Sequence, residues 1–346
     1  MSETIEIPER LEQPPAERPV RRIARRVGEA FLRRREASIA IVAVGLGLYF
    51  WSARSVFLTH DNLVNISQAT APAAIVAVGE VLLLVSGEID LSVGAVFALA
   101  PFLMHYAVDY YGVPVLPAIL LALAIAAGIG FANGAVTVFL RVPSFVTTLG
   151  SLYLVIGVVL TTSHAYPAEI PQSAQGRIAQ WFGHGDWAEI AWGLLIVGFF
   201  HVVLTRTRWG LHTIAVGGNL LGATEAGIRA GRIKIGNFMI TGTLGAFAGI
   251  LEAFRVSTID PNLGGGTTIM FTAVSAAVIG GTALAGGSGT VVGAFLGALV
   301  LAELQDGFNL IGISANPYFI IQGTAILVAM IANVRLSRLR RTGRTL

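Results

Sequence analysis

Cysteine is absent from this 346-residue chain, which excludes disulfides, thiolate-bound metals and thiol nucleophiles together. Charge is scarce: Asp, Glu, Lys and Arg make up only 12% of the residues, and lysine occurs once, at position 234. "GIRAGRI" precedes that lysine, so there is no G-x-x-x-x-G-K-[ST] phosphate loop, and the chain by itself is not expected to bind ATP in that manner. G-x-S-x-G is missing as well. The six histidines, at 60, 105, 164, 184, 201 and 212, show neither H-x-x-x-H nor a carboxylate neighbour at ligand spacing, which points to no metal or protease centre.

What the chain has is apolar length. Hydrophobic residues make up 54%, too many for an ordinary soluble domain, and 41 glycines with 13 prolines suit close-packed, interrupted membrane helices. Runs of about twenty apolar residues, the length that crosses a hydrocarbon core, lie near 38–57, 71–86, 88–108, 114–136, 142–162, 188–205, 237–256, 268–285, 289–307 and 317–334. This predicts an all-α polytopic membrane protein of about ten transmembrane helices. The second and third runs are short and join at Gly87, and the eighth and ninth meet in "GGTALAGGSGT" (280–290), so broken or re-entrant segments are expected there.

Charge placement sets the predicted orientation. With the amino terminus inside and ten crossings, twenty of the 23 Lys and Arg residues fall on the cytoplasmic side; only Arg54, Arg177 and Arg255 fall elsewhere. Both termini are then cytoplasmic. Three regions follow: a basic, partly disordered tail over 1–37, in which 20–35 suits a helix lying on anionic lipid, a membrane region over 38–335, and a second basic tail over 336–346. No secretory signal peptide is visible. The outside loop 163–187 suggests a short surface helix near 173–182, and the inside loop 206–236 a short helix over 219–230 with Leu220 and Leu221 on its surface. That second helix either lies on the membrane or docks into a cytoplasmic partner.

Glu88 and Asp90 stand in the middle of an apolar tract, "SGEIDLSVGAVFAL" (86–99). If the segment is helical, Asp90 and Glu88 lie on neighbouring stripes, Glu88 with Ser92, and do not face each other. Alternatively Asp90 caps a half-helix beginning at Leu91, accepting from the amides of Ser92 or Val93. Lipid exposure is too costly for either acid. Asn133 either bonds across helices or lines a pathway. Ser144, Thr147 and Thr148, behind Pro143, either bond back to their own helix or offer hydroxyls to a passing solute. The 280–290 stretch reads as a Gly-rich packing bend, and its likeness to 87–99 hints at an internal repeat.

Four stretches in order, "SGEIDLSVGAVFAL" (86–99), "ANGAVTVFLRVPSFVTTLGSLYLVIGVVL" (132–160), "AVGGNLLGATEAGIRAGRIKIGNFMITGTLGAFAGIL" (215–251) and "AVIGGTALAGGSGTVVGAFLGALVLAELQDGFNLIGI" (277–313), resemble the membrane-spanning permeases of bacterial ABC-type monosaccharide importers of the ribose and xylose type. The resemblance implies a bacterial inner-membrane transport subunit, not an enzyme, that binds no cofactor or metal. It implies three kinds of partner: a separate ATP-binding subunit that uses ATP and magnesium, a periplasmic sugar-binding protein, and a second copy or a sister permease. No nucleic-acid partner is implied. Asn219, Ala223, Ala226, Gly227 and Ile228 inherit the coupling to the ATPase. The family more often carries glycine where Glu88 stands, which leaves the role of that carboxylate open. Two rival classes remain: an ion-coupled carrier relaying charge through Glu80, Glu88 or Asp90, and an ABC permease for branched-chain amino acids or nucleosides.

Overall fold

The computed structural model describes residues 35–261, 264–313, 319–324, 327–328 and 331. Eleven helices set the architecture: α1 (Arg35–Ala53), α2 (His60–Val85), α3 (Val93–Asp109), α4 (Val115–Phe139), α5 (Ser144–Ser163), α6 (Ala188–Arg206), α7 (Arg208–Gly218), α8 (Leu220–Glu225), α9 (Ala230–Val256), α10 (Gly264–Ile279) and α11 (Val291–Leu310). Two short strands, β1 (Ala168–Glu169) and β2 (Thr258–Ile259), pair antiparallel. Among the described residues, seven helices are long and apolar enough to cross a membrane. The helices expected near 88–108 and 268–285 are shorter, and half of the tenth run, 317–334, lies outside the described residues, as do residues 1–34 of the basic tail and all of 336–346.

Helix α2 is the centre of the bundle. Of its most apolar stretch 89% is buried, against 22% for α1 and α5, whose outward residues Ile41, Val44, Tyr153 and Leu154 present an apolar face to lipid. It begins eleven residues earlier than the apolar run suggests because its polar first turns are satisfied inside protein. Asn62 Nδ2 donates to Asp306 Oδ2 at 2.7 Å and to the Phe57 carbonyl at 3.0 Å, while Ser67 and Thr70 donate to the carbonyls of Val64 and Ile66.

Packing in lipid depends on close fit rather than on exclusion of water, so small residues sit where helices touch. Around α9 the contact reaches backbone level: a Cβ on Gly249 would lie 1.9 Å from the Phe97 carbonyl oxygen of α3, and one on Gly130 of α4 would lie 2.3 Å from the Phe238 carbonyl oxygen. These glycines hold α3 and α4 against α9.

The two ends of the bundle differ. Arg141, Arg206, Arg208, Arg229, Arg232 and Lys234 mark a basic end, where Lys234 reaches Glu88, Ile89 reaches Ser144 and Gly287 reaches Val85. At the opposite end Arg255 lies 3.5 Å from Glu189, and Tyr106 Oη donates to the Thr162 carbonyl at 2.7 Å. The surface helix expected near 173–182 is instead a chain of single turns, interrupted at Gly176 with φ +84° and tied down by Trp192 Nε1 donating to the Trp181 carbonyl at 2.9 Å.

Candidate functional site

Residues 86–92 form a non-helical break between α2 and α3, and the protein meets its hydrogen-bonding needs almost amide by amide. The break starts where Gly87 turns to φ +83°, which lets the amides of Gly87 and Glu88 donate back to the carbonyls of Leu84 and Leu83. Ile89 N donates to Ser144 Oγ at 3.3 Å and Leu91 N to Thr148 Oγ1 at 3.1 Å, both supplied by the first turns of α5. Asp90 Oδ1 accepts from the Ser92 amide at 2.8 Å and from Ser92 Oγ at 2.6 Å. Asn133 Nδ2, from α4, donates to Ser92 Oγ at 2.9 Å. Irregular backbone in a membrane bundle persists only where protein supplies such partners.

The structure therefore brings together Asp90, Ser92, Asn133 and Ser144. Asp90 accepts from the Ser92 amide, one of the two amides the capping alternative named, but the helix starts at Val93 with Ser92 at its N-cap position and no side-chain cap, so Asp90 closes the turn before the helix instead of capping it. Thr148 also donates to the Ser144 carbonyl at 2.8 Å, the back-bond expected of it. Thr147 stays apart, half-buried with its Oγ1 unbonded. Glu80, fully buried on α2, lies close enough to Asp90 for the two carboxyl groups to interact. Asp90→Ala takes the acceptor away from two buried donors and is expected to cost about 2 kcal/mol or more, whereas Asp90→Asn keeps an oxygen in place and costs less. Thermal unfolding of the two purified variants in one detergent checks the order.

Glu88 faces away from Asp90. Its Oε1 meets Lys234 Nζ at 2.5 Å, with the two side chains 10% and 18% exposed, so the break is tied to the first turns of α9 by a mostly buried ion pair. Sequence reasoning missed Lys234 because 146 residues separate the partners.

A second break, 280–290, joins α10 to α11 and touches the first: Gly287 N donates to the Val85 carbonyl at 2.8 Å. Both breaks lead into helices that begin with similar sequence, "SVGAVFAL" and "VVGAFLGAL", consistent with the suspected repeat. Thr290 caps the second, its Oγ1 accepting from Gly293 N at 3.3 Å and donating to Glu36 Oε1 at 2.7 Å. The end of α7 fills the angle between them. A Cβ on Gly217 would stand 1.7 Å from the Val85 carbonyl oxygen and 2.8 Å from Gly287 N. Trp209 Nε1 on α7 donates to Asn237 Oδ1 of α9 at 2.9 Å, and Asn237 Nδ2 donates to the Leu82 carbonyl of α2 at 3.1 Å, so α7 is fastened to both breaks and to α9. Nothing in the spacing of Trp209, Gly217 and Asn237 marks them beforehand.

Beyond α7 the expected helix over 219–230 is shorter. Asn219 Oδ1 accepts from Gly222 N at 2.9 Å and starts α8, but the helix stops at Glu225 because Gly227 turns to φ +83° and returns its amide to the Thr224 carbonyl. Ala223 is 5% exposed and packs inward with Val216 and Ile233, and Ile228 packs beside them. Of the residues assigned to coupling, Ala226 and Gly227 are outward, next to exposed Leu220 and Leu221, while Ala223 and Ile228 support them from beneath.

A family model described as branched-chain amino acid transport system / permease component matches residues 62–331, a span that includes both breaks, α7 and α8. The chain is 37% identical to the xylose/arabinose import permease protein XylH of Sulfolobus acidocaldarius, with 89% of this chain and 87% of that protein covered. It is 35% identical to the ribose import permease protein RbsC of Escherichia coli K12, over 80% of this chain and 87% of that protein. It is 33% identical to the autoinducer 2 import system permease protein LsrC of Photorhabdus luminescens, over 76% and 78% respectively. No solved structure matches.

Proposed function

The chain belongs to the family of branched-chain amino acid transport system permease components, and from that premise we propose that it is the membrane-spanning subunit of an ATP-driven importer whose cargo is a monosaccharide, a pentose or a similar sugar. The cargo class follows the xylose, arabinose and ribose named for its relatives. The observation that carries the mechanism is the joint at Gly217, where one connecting helix touches the backbone of both helix breaks at once.

The basic end faces the cytoplasm of a bacterial inner membrane, in keeping with the distribution of arginine. A separate subunit, using ATP and magnesium, docks on the knob formed by Leu220, Leu221, Ala226 and Gly227. Its closure on nucleotide pushes α8 and α7, and Gly217 passes the displacement to the breaks after α2 and α10. The bundle alternates between openings to the two sides, paired with a second copy or a sister permease, while a periplasmic binding protein delivers the sugar. An ion-coupled relay through Asp90 or Glu88 is disfavoured because Asp90 Oδ1 is already committed to two donors on Ser92 and Glu88 to Lys234.

The test is gentle solubilisation of the tagged protein and identification of what copurifies. An ATPase is expected, and Leu221→Glu combined with Ala226→Glu is expected to lower its recovery at least about tenfold, since like charges placed in a desolvated apolar contact stay unpaired. A chain that purifies alone and still moves sugar down a proton gradient in liposomes would overturn the reading.

A further inference from the structure

Between α3, α9 and β2, toward the end opposite the basic one, lies a cavity of about 250 Å³. That is just below the roughly 300–1,000 Å³ of pockets for drug-sized ligands, and enough for one sugar ring. One wall is apolar, from Phe97 and Pro101; the other carries Glu252, Thr258 and Asp260. Pro101 has no amide to give the Phe97 carbonyl four residues before it. The cavity therefore holds an acceptor-rich side facing a hydrocarbon side.

Two further observations fix its character. Glu252 is oriented from behind by Arg255, whose Nε donates to Oε2 at 3.0 Å and whose Nη2 bonds Oε1. Toward the basic end the cavity is shut where Gly245 and Gly249 of α9 lie against Val93 and Phe97 of α3, with no room for a Cβ. A solute entering here meets a floor made of backbone.

Resting on the reading of the chain as a sugar permease, we propose that this cavity is the outward-side binding site for a single neutral sugar ring, whose C–H face lies on Phe97 and Pro101 and whose hydroxyls donate to Glu252, Thr258 and Asp260. An acidic wall also attracts the α-ammonium of a free amino acid, so L-leucine is the competing ligand against which the sugar is tested. Release inward requires α3 and α9 to part at the Gly245 and Gly249 contacts.

The test uses the full chain in nanodiscs, with saturation-transfer NMR to D-xylose and to L-leucine at millimolar concentration, alongside pentose uptake by cells that carry its partners. D-xylose is expected to receive transfer and L-leucine none. Glu252→Gln, isosteric but without the charge that pairs with Arg255, and Thr258→Val, at an exposed position, are each expected to weaken binding about tenfold, and Thr258→Val is expected to unfold as the wild type does. Normal uptake together with unchanged transfer in both variants overturns the site and leaves the permease reading standing. Transfer to L-leucine that the variants abolish overturns the ligand class. Absence of pentose uptake by the wild type with its partners overturns the permease reading on which the site rests.

Discussion

Gly217→Ala is expected to abolish transport while Gly218→Ala beside it leaves transport near normal. At Gly217 the new Cβ would stand 1.7 Å from the Val85 carbonyl oxygen and 2.8 Å from Gly287 N, and these two atoms belong to backbones joined by their own 2.8 Å hydrogen bond. No flexible side chain is there to yield, so α7 must withdraw or the bond between the breaks must open. Overpacking of this kind costs about 3 kcal/mol or more. At Gly218 the nearest atom to a Cβ is the Gly287 Cα at 3.7 Å, an ordinary contact. Sugar uptake and thermal unfolding, measured side by side, separate the two variants. Normal uptake and melting by Gly217→Ala would remove the joint from the mechanism.

The second large effect concerns Glu88 and Lys234. Lys234→Met leaves a carboxylate that is 10% exposed without its counter-charge, and loss of one partner of a buried pair costs about 3–5 kcal/mol. Glu88→Gln strands the ammonium instead and costs less, because Lys234 is 18% exposed and its long stem reaches toward the basic end. The double variant Glu88→Gln with Lys234→Met removes both charges and is expected to recover most of the loss. A double-mutant cycle on denaturation in one detergent gives the coupling directly. Additivity of the two single effects would mean that the pair carries no interaction energy.

What the sequence disclosed and what it withheld divide along sequence distance. The bond from the Ser92 amide to Asp90 was legible because donor and acceptor lie two residues apart. The break at Gly87 and the bend at 280–290 were legible because glycine interrupts apolar runs there. Apolar run lengths carried the membrane class, and the resemblance carried the permease reading, with which the family match agrees. The pairing of Glu88 with Lys234, the wedge of Gly217 and the bridge through Asn237 join residues far apart in the chain, and no local pattern encodes them. Two boundaries failed for local reasons that hydropathy does not register. Helix α2 starts early because its polar first turns find partners on α11 and within its own backbone, and α8 ends early because Gly227 leaves helical space.

The only lysine of the chain sits inside the ion pair that fastens the first break to α9. All of the chain's side-chain amine chemistry is thereby concentrated at one working contact. Acylating reagents, which leave the 22 arginines untouched, find a single side-chain target, and its nucleophilicity depends on whether Glu88 is holding it. Once the α-amino group, which reacts with the same reagents, is accounted for, acylation of these 346 residues reports on that contact alone among the amines.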